Sequence, residues 1–140
     1  MPLQEIQTPQ RRLILQFHKL FVLNIKTHFI DNKQIAELQS NGILVNSPDD
    51  ALQLLVDLYY QDFDRIILQE HHLTPDFFEL KNGMAGEILQ KFSNYRVKLA
   101  IVGEFSNHTK DSILQFMSES NKMKHINFVR TLEDAIVVIS

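Results

Sequence analysis

Asp64-Arg65-Ile66-Ile67-Leu68-Gln69 is a short apolar run with polar residues at both ends. A run apolar at successive positions reads as a strand buried on both faces, the environment of a parallel strand with helices on each side. Residues 97–103 form a second such run and residues 126–129 a third. Helical segments lie between them: residues 75–95, entered through Thr74-Pro75-Asp76, and residues 110–120, entered through Thr109. Thr131 opens a last helix with an acid three residues on, an arrangement close to a capping box.

Upstream, Ser47-Pro48-Asp49-Asp50 starts a helix in three ways. The hydroxyl accepts from an orphan amide, the proline lacks a donor where none is needed, and the carboxylates face the positive end of the dipole. That helix runs to about Tyr60, with Leu52, Leu55 and Tyr59 on one side and Asp50, Gln53 and Asp57 on the other. Before it, Ile25, Thr27 and Phe29 alternate with Lys26, His28 and Ile30, the period of a strand. Asp31-Asn32 turns the chain into residues 33–38, making a hairpin, and Asn41-Gly42 leads to a short apolar strand, Ile43-Leu44-Val45. The expected fold is therefore α/β. An N-terminal β-hairpin and a short strand precede alternating α-β units, in a mixed, mostly parallel sheet.

Residues 1–23 read as an appendage and residues 24–140 as one domain, since 140 residues suit a single core. Arg11-Arg12 followed by an apolar stretch imitates a secretory signal, but His18 and Lys19 interrupt it and no small-residue cleavage site follows. Leu13, Ile14, Phe17, Leu20 and Phe21 fall at helical spacing. The segment thus reads as an amphipathic helix capped by Thr8 with Pro9 in its first turn, or as upstream sequence ahead of the true start.

The apolar share of 44%, with ten Phe, is that of a globular protein. A net charge of −3 with scattered Lys and Arg lacks the footprint of a nucleic-acid binder. Without cysteine there is no disulfide, thiolate metal site or cysteine nucleophile, which suits a reducing, cytoplasmic setting. No apolar run is long enough for a membrane span, and no glycine-rich phosphate loop of the usual kinds is present.

The least generic feature is Asn82-Gly83 with Gly86 following, inside a helical segment where each glycine costs roughly 1 kcal/mol relative to alanine. The plain reading is close helix packing, or a left-handed cap between two short helices. The functional one is backbone brought near a ligand or partner.

Residues 73–106, LTPDFFELKNGMAGEILQKFSNYRVKLAIVGEFS, closely resemble the bacterial family known as domain of unknown function 4180. The likeness extends to SPDDAL at 47–52, DRIIL at 64–68, SESNK, NFV and the TLEDAI ending, and so covers about residues 24–140. Asn107-His108-Thr109 and Ile113-Leu114-Gln115 depart from the family's usual aromatic and arginine. The family brings no activity, substrate or catalytic residue to carry over. A more distant, fold-level similarity is to STAS-type domains, the anti-sigma-factor-antagonist class. Their phosphorylatable serine precedes a glycine, and the corresponding places here hold Lys81 and Asn82, so the resemblance implies that the phosphorylation switch is missing.

Ligands of open α/β sheets sit outside the carboxyl ends of the strands. There the chain carries Glu70, His71 and His72, then Glu104 and Ser106, then Arg130. Glu70-His71-His72 is a poor metal set because adjacent side chains diverge, and solvated loop histidines are the preferred reading. Gly103-Glu104-Phe105-Ser106-Asn107 is not the elbow that exposes a catalytic serine.

Composition and motifs therefore do not name an activity. The leading expectation is a non-catalytic cytoplasmic regulatory module with no cofactor and no metal. It would bind a protein partner or small ligand through Lys81, Asn82, Gly83, Gly86 and Glu87 together with Glu70, Glu104 and Ser106. The alternative is a small enzyme using Glu70, Glu104 and one of His71, His72 or His108 as acid and base. A further expectation is a homodimer formed through a hairpin edge strand or residues 13–21.

Overall fold

The computed structural model describes residues 10–15, 21–124 and 126–140, with side chains from residue 24 onward apart from His125. The hairpin forms as the alternation predicts. Strand β2 (Phe21–Ile30) pairs antiparallel with β3 (Lys33–Gln39), Thr27 opposite Ala36. Its turn residues Asp31 and Asn32 both take positive φ, 51° and 67°, the mirror-image turn whose twist matches paired strands. The apolar runs supply β4 (Arg65–Gln69), β5 (Lys98–Val102) and β6 (Ile126–Val129), which add in parallel beyond β3. A further strand, β1 (Gln10–Leu15), pairs antiparallel with β2. Spatial order follows chain order across the six described strands.

Three crossover helices, α1 (Pro48–Tyr59), α2 (Met84–Tyr95) and α3 (Asp111–Met123), join successive parallel strands. Because the strand order always steps the same way, crossovers of one hand put all three helices on one face. There Ala36, Ile66, Leu68, Leu99 and Ile101 meet Leu54, Leu58, Ile88, Phe92 and Ile113 in the main core. Helix α4 (Leu132–Ile139) folds over the opposite face, laying Ala135 and Ile139 on Ile35, Ile67 and Ala100. The buried Arg65 Nε donates to the Ile139 carbonyl at 2.6 Å and pins the end of that helix. The result is a mixed, mostly parallel sheet between two helical layers. The caps expected at Ser47 and Thr131 are present, Ser47 accepting from the Asp50 amide at 3.2 Å and Thr131 from the Asp134 amide at 3.0 Å, whereas Thr74 makes no side-chain cap bond and α3 is preceded by Lys110 rather than Thr109. Among the described residues no helix is long and apolar enough to cross a membrane.

Three expectations are corrected. The described part of the N-terminal segment is strand rather than helix at residues 13–15 and 21–23. Consecutive apolar residues satisfy either period there, and pairing with β2 decides between them. Thr8, Pro9 and residues 16–20 lie outside the described residues. Ile43-Leu44-Val45 does not join the sheet. The Leu44 and Val45 amides donate to the His72 carbonyl at 2.8 and 3.0 Å, leaving one isolated bridge from Val45 to Leu73. Residues 75–95 are not one helix: short 3-10 turns at Pro75–Phe78 and Leu80–Asn82 precede α2. Gly83 makes the break at φ 80°, a conformation open to glycine at little cost.

Candidate functional site

The parallel register that pairs Gln69 with Val102 brings the residues after β4 and β5 side by side. Between the two loops lies a cleft of about 730 Å³ whose lining includes Glu70, Phe78, Glu79, Gly103, His108 and Lys110. Glu70 is its organising residue. One carboxylate oxygen, Oε2, accepts from His108 Nε2 at 3.0 Å, and Oε1 accepts from the Glu104 amide at 3.2 Å.

Gly103 makes that position of Glu70 accessible. A Cβ there would stand 2.6 Å from Glu70 Oε1 and 2.7 Å from Glu70 Cβ, closer than real Cβ contacts come. The His108 ring stacks on Phe78, centroids 4.6 Å apart and planes 29° from parallel, with Phe105 6.2 Å away. A carboxylate accepting from Nε2–H selects the tautomer in which Nδ1 carries the lone pair.

The neighbouring groups continue across the strand ends. Ser106 Oγ donates to Glu104 Oε1 at 2.7 Å, and Arg130 approaches the same carboxylate at 3.7 Å. The hydroxyl first, and then the guanidinium, hold the Glu104 carboxyl below its ordinary range. Across the cleft mouth, Lys110 Nζ donates to both carboxylate oxygens of Glu79 at 2.9 and 3.0 Å and lowers that carboxyl in the same way.

Of the residues singled out at the strand ends, Glu70, Glu104 and Ser106 come together with His108 and Arg130. Lys81, Asn82, Gly83, Gly86 and Glu87 are exposed and lie outside the cleft's lining. Asn82 serves the local backbone. Its Nδ2 donates to the Asp76 carbonyl and its Oδ1 accepts from the Met84 amide, both at 2.8 Å, so it ties the preceding turn to the start of α2. Gly86 shows no close packing, because a Cβ there would meet nothing within 4 Å.

The loop histidines differ from the solvated pair expected. His71 is exposed, but His72 is fully buried. Its Nδ1 accepts from the Gln69 amide at 2.9 Å and its Nε2 donates to the Ser40 carbonyl at 3.1 Å. Burial above all, with His71 adding to it, pushes His72 down to about 4 against the opposing Ser40 hydrogen bond, which identifies it as a neutral structural imidazole. Among the described residues no group of three His, Asp or Glu side chains is placed to hold a metal.

Sequence reasoning missed Gly103, Phe78, Glu79 and Lys110. A glycine closing a strand is a cue to close backbone approach, so Gly103 carried a readable signal. Nothing local links Glu79 to Lys110, thirty-one positions apart.

A family model described as "Domain of unknown function (DUF4180)" matches residues 30–139. The chain belongs to that family. Comparisons of this DUF4180 domain with curated proteins and with solved structures return no match. The matched region contains the cleft, all four helices and the parallel half of the sheet.

Proposed function

We propose that this DUF4180 domain is a non-catalytic regulatory module that binds a small molecule in the cleft between the β4 and β5 strand ends. The observation that carries this reading is Glu70, admitted by Gly103 and engaged by His108, in the wall of a cleft of about 730 Å³. That size falls within the range of small-ligand sites, and the position is the one where open α/β sheets hold ligands. The lack of cysteine supports a cytoplasmic setting, the family resemblance a bacterial one, and the order of hairpin then alternating units a STAS-like regulatory role.

A thermal-shift screen of a fragment library tests it. Ligand at 100 times its Kd stabilises by about 2.7 kcal/mol, a rise of several degrees. Hits should vanish in Thr109→Trp, which fills the cleft from its exposed rim, and persist in Lys81→Ala. The opposite pattern would move the site to the turn before α2, and no hit at all would refute the reading.

The Glu70/His108 contact supports a second reading, an enzyme in which His108 Nδ1 takes a proton while Glu70 orients the ring. Turnover of a hit followed by mass spectrometry, abolished in His108→Ala, would establish it; unchanged hits would exclude it. Self-association as a homodimer is decided separately by sedimentation of the full chain.

A further inference from the structure

We propose that the cleft takes a planar nitrogen heterocycle, neutral or cationic, that donates an N–H to His108 Nδ1 and stacks on the aromatic wall. This rests on the small-molecule reading above and adds the chemical class. The described contacts of the His108 ring engage Nε2 alone, through Glu70, so the ring offers one acceptor with its tautomer already set. A donor ring bonded to Nδ1 continues the imidazole plane, and Phe78, which lines the cleft with its ring plane 29° from that of His108, is oriented to stack on it.

Charge argues against an anion. The cleft lining contains two carboxylates, Glu70 and Glu79, and one lysine, Lys110, whose ammonium is held by both Glu79 oxygens. Arg130, which follows β6, faces Glu104 instead and does not line the cleft. The amino end of α3 borders the cleft, but Asp111 in its first turn already supplies negative charge there. Among the described residues, a carboxylate or phosphate would therefore meet excess carboxylate charge and no Lys or Arg left unpaired in the lining, whereas a ring N–H donor meets an acceptor-rich wall.

Four probes separate these cases in nitrogen-15 spectra of the full chain: benzimidazole, 1-methylbenzimidazole, benzoate and inorganic phosphate. Benzimidazole should shift the Gly103 and His108 amides saturably and move the His108 Nδ1 resonance in the direction of an accepted hydrogen bond. The methylated ring, which stacks but donates nothing, should bind about five- to tenfold more weakly. Benzoate and phosphate should leave these signals in place. In His108→Phe, which keeps a flat wall and removes the acceptor, the preference for the unmethylated ring should disappear. If that variant does not fold, the Nδ1 shift in the native chain carries the test. Equal binding of the two rings, or tighter binding of benzoate or phosphate at the same amides, overturns the inference while leaving the small-molecule reading standing. If neither these probes nor any thermal-shift hit moves the cleft amides, both fall together.

Discussion

Gly103→Ala is the most direct test of how the cleft is built. The added methyl would sit 2.6 Å from Glu70 Oε1, 2.7 Å from Glu70 Cβ and 3.0 Å from Phe105 Cζ. Rotating the Glu70 side chain relieves the first contact at the expense of two partly exposed hydrogen bonds, each worth roughly 0.5–1.5 kcal/mol. It cannot relieve the second, because Cβ moves only with the backbone. The ends of β4 and β5 must therefore shift too, and overpacking of this kind, side-chain rotation and backbone shift taken together, costs about 1–3 kcal/mol. No left-handed strain enters, since Gly103 is not among the residues with positive φ. At this chain length 1 kcal/mol corresponds to roughly 3–4 °C, so the melting temperature should fall by about 3–12 °C. Calorimetry measures that loss, and the imidazole nitrogen resonances of His108 should change with it as Glu70 withdraws from Nε2. Gly86→Ala is the control, because the space around it is empty and it lies inside α2. It should gain up to about 1 kcal/mol from helix propensity. A Gly103→Ala protein melting within about 1 °C of the native chain, with unmoved His108 signals, would refute the claim that this glycine positions Glu70.

Other substitutions probe the remaining elements. His72, pushed down to about 4 in the folded state, is more easily protonated when unfolded, so its neutral form stabilises the fold above about pH 6.5 and that stability is lost as pH falls from 6.5 toward 4. By pH 5 the loss from this group is roughly 2 kcal/mol, and the difference between native and His72→Gln melting curves across pH 4 to 7.5 should show it. Asn82→Ala should cost about 1 kcal/mol by removing an oxygen that accepts from the first amide of α2, while the exposed Lys81→Ala should stay within about 0.5 kcal/mol in urea unfolding. Thr131→Ala should cost about 1 kcal/mol in the same assay through loss of the α4 cap.

Legibility follows the range over which each signal acts. The strand at residues 65–69 and the caps at Ser47 and Thr131 are readable because their causes lie within a few residues. The N-terminal segment misleads where Leu13, Ile14 and Leu15 are all apolar, for such a run fits strand and helix alike until a partner strand supplies hydrogen bonds. At the site, the strand-end rule points to Glu70, Glu104 and Ser106, and their grouping follows from the pairing of Gln69 with Val102. That register is a long-range fact. So is the burial of His72, which depends on the Ser40 carbonyl thirty-two positions away.

The Asn82-Gly83 turn and the strand-end cleft differ in whether folding alone explains them. At the turn, Gly83 supplies the left-handed break and Asn82 accepts from the Met84 amide and ties it to the preceding turn, so each residue answers a local backbone need. At the cleft, a partly buried carboxylate and imidazole are weak stabilisers, and apolar side chains of similar volume would generally serve a fold as well or better. The chain nevertheless follows β5 with a side-chain-free residue where Glu70 lies across it. A polar pair in a concave site, made accessible by a glycine that φ does not require, has its simplest physical account in a ligand. That difference is the reason for proposing the ligand site at Glu70 and His108 rather than at the α2 turn.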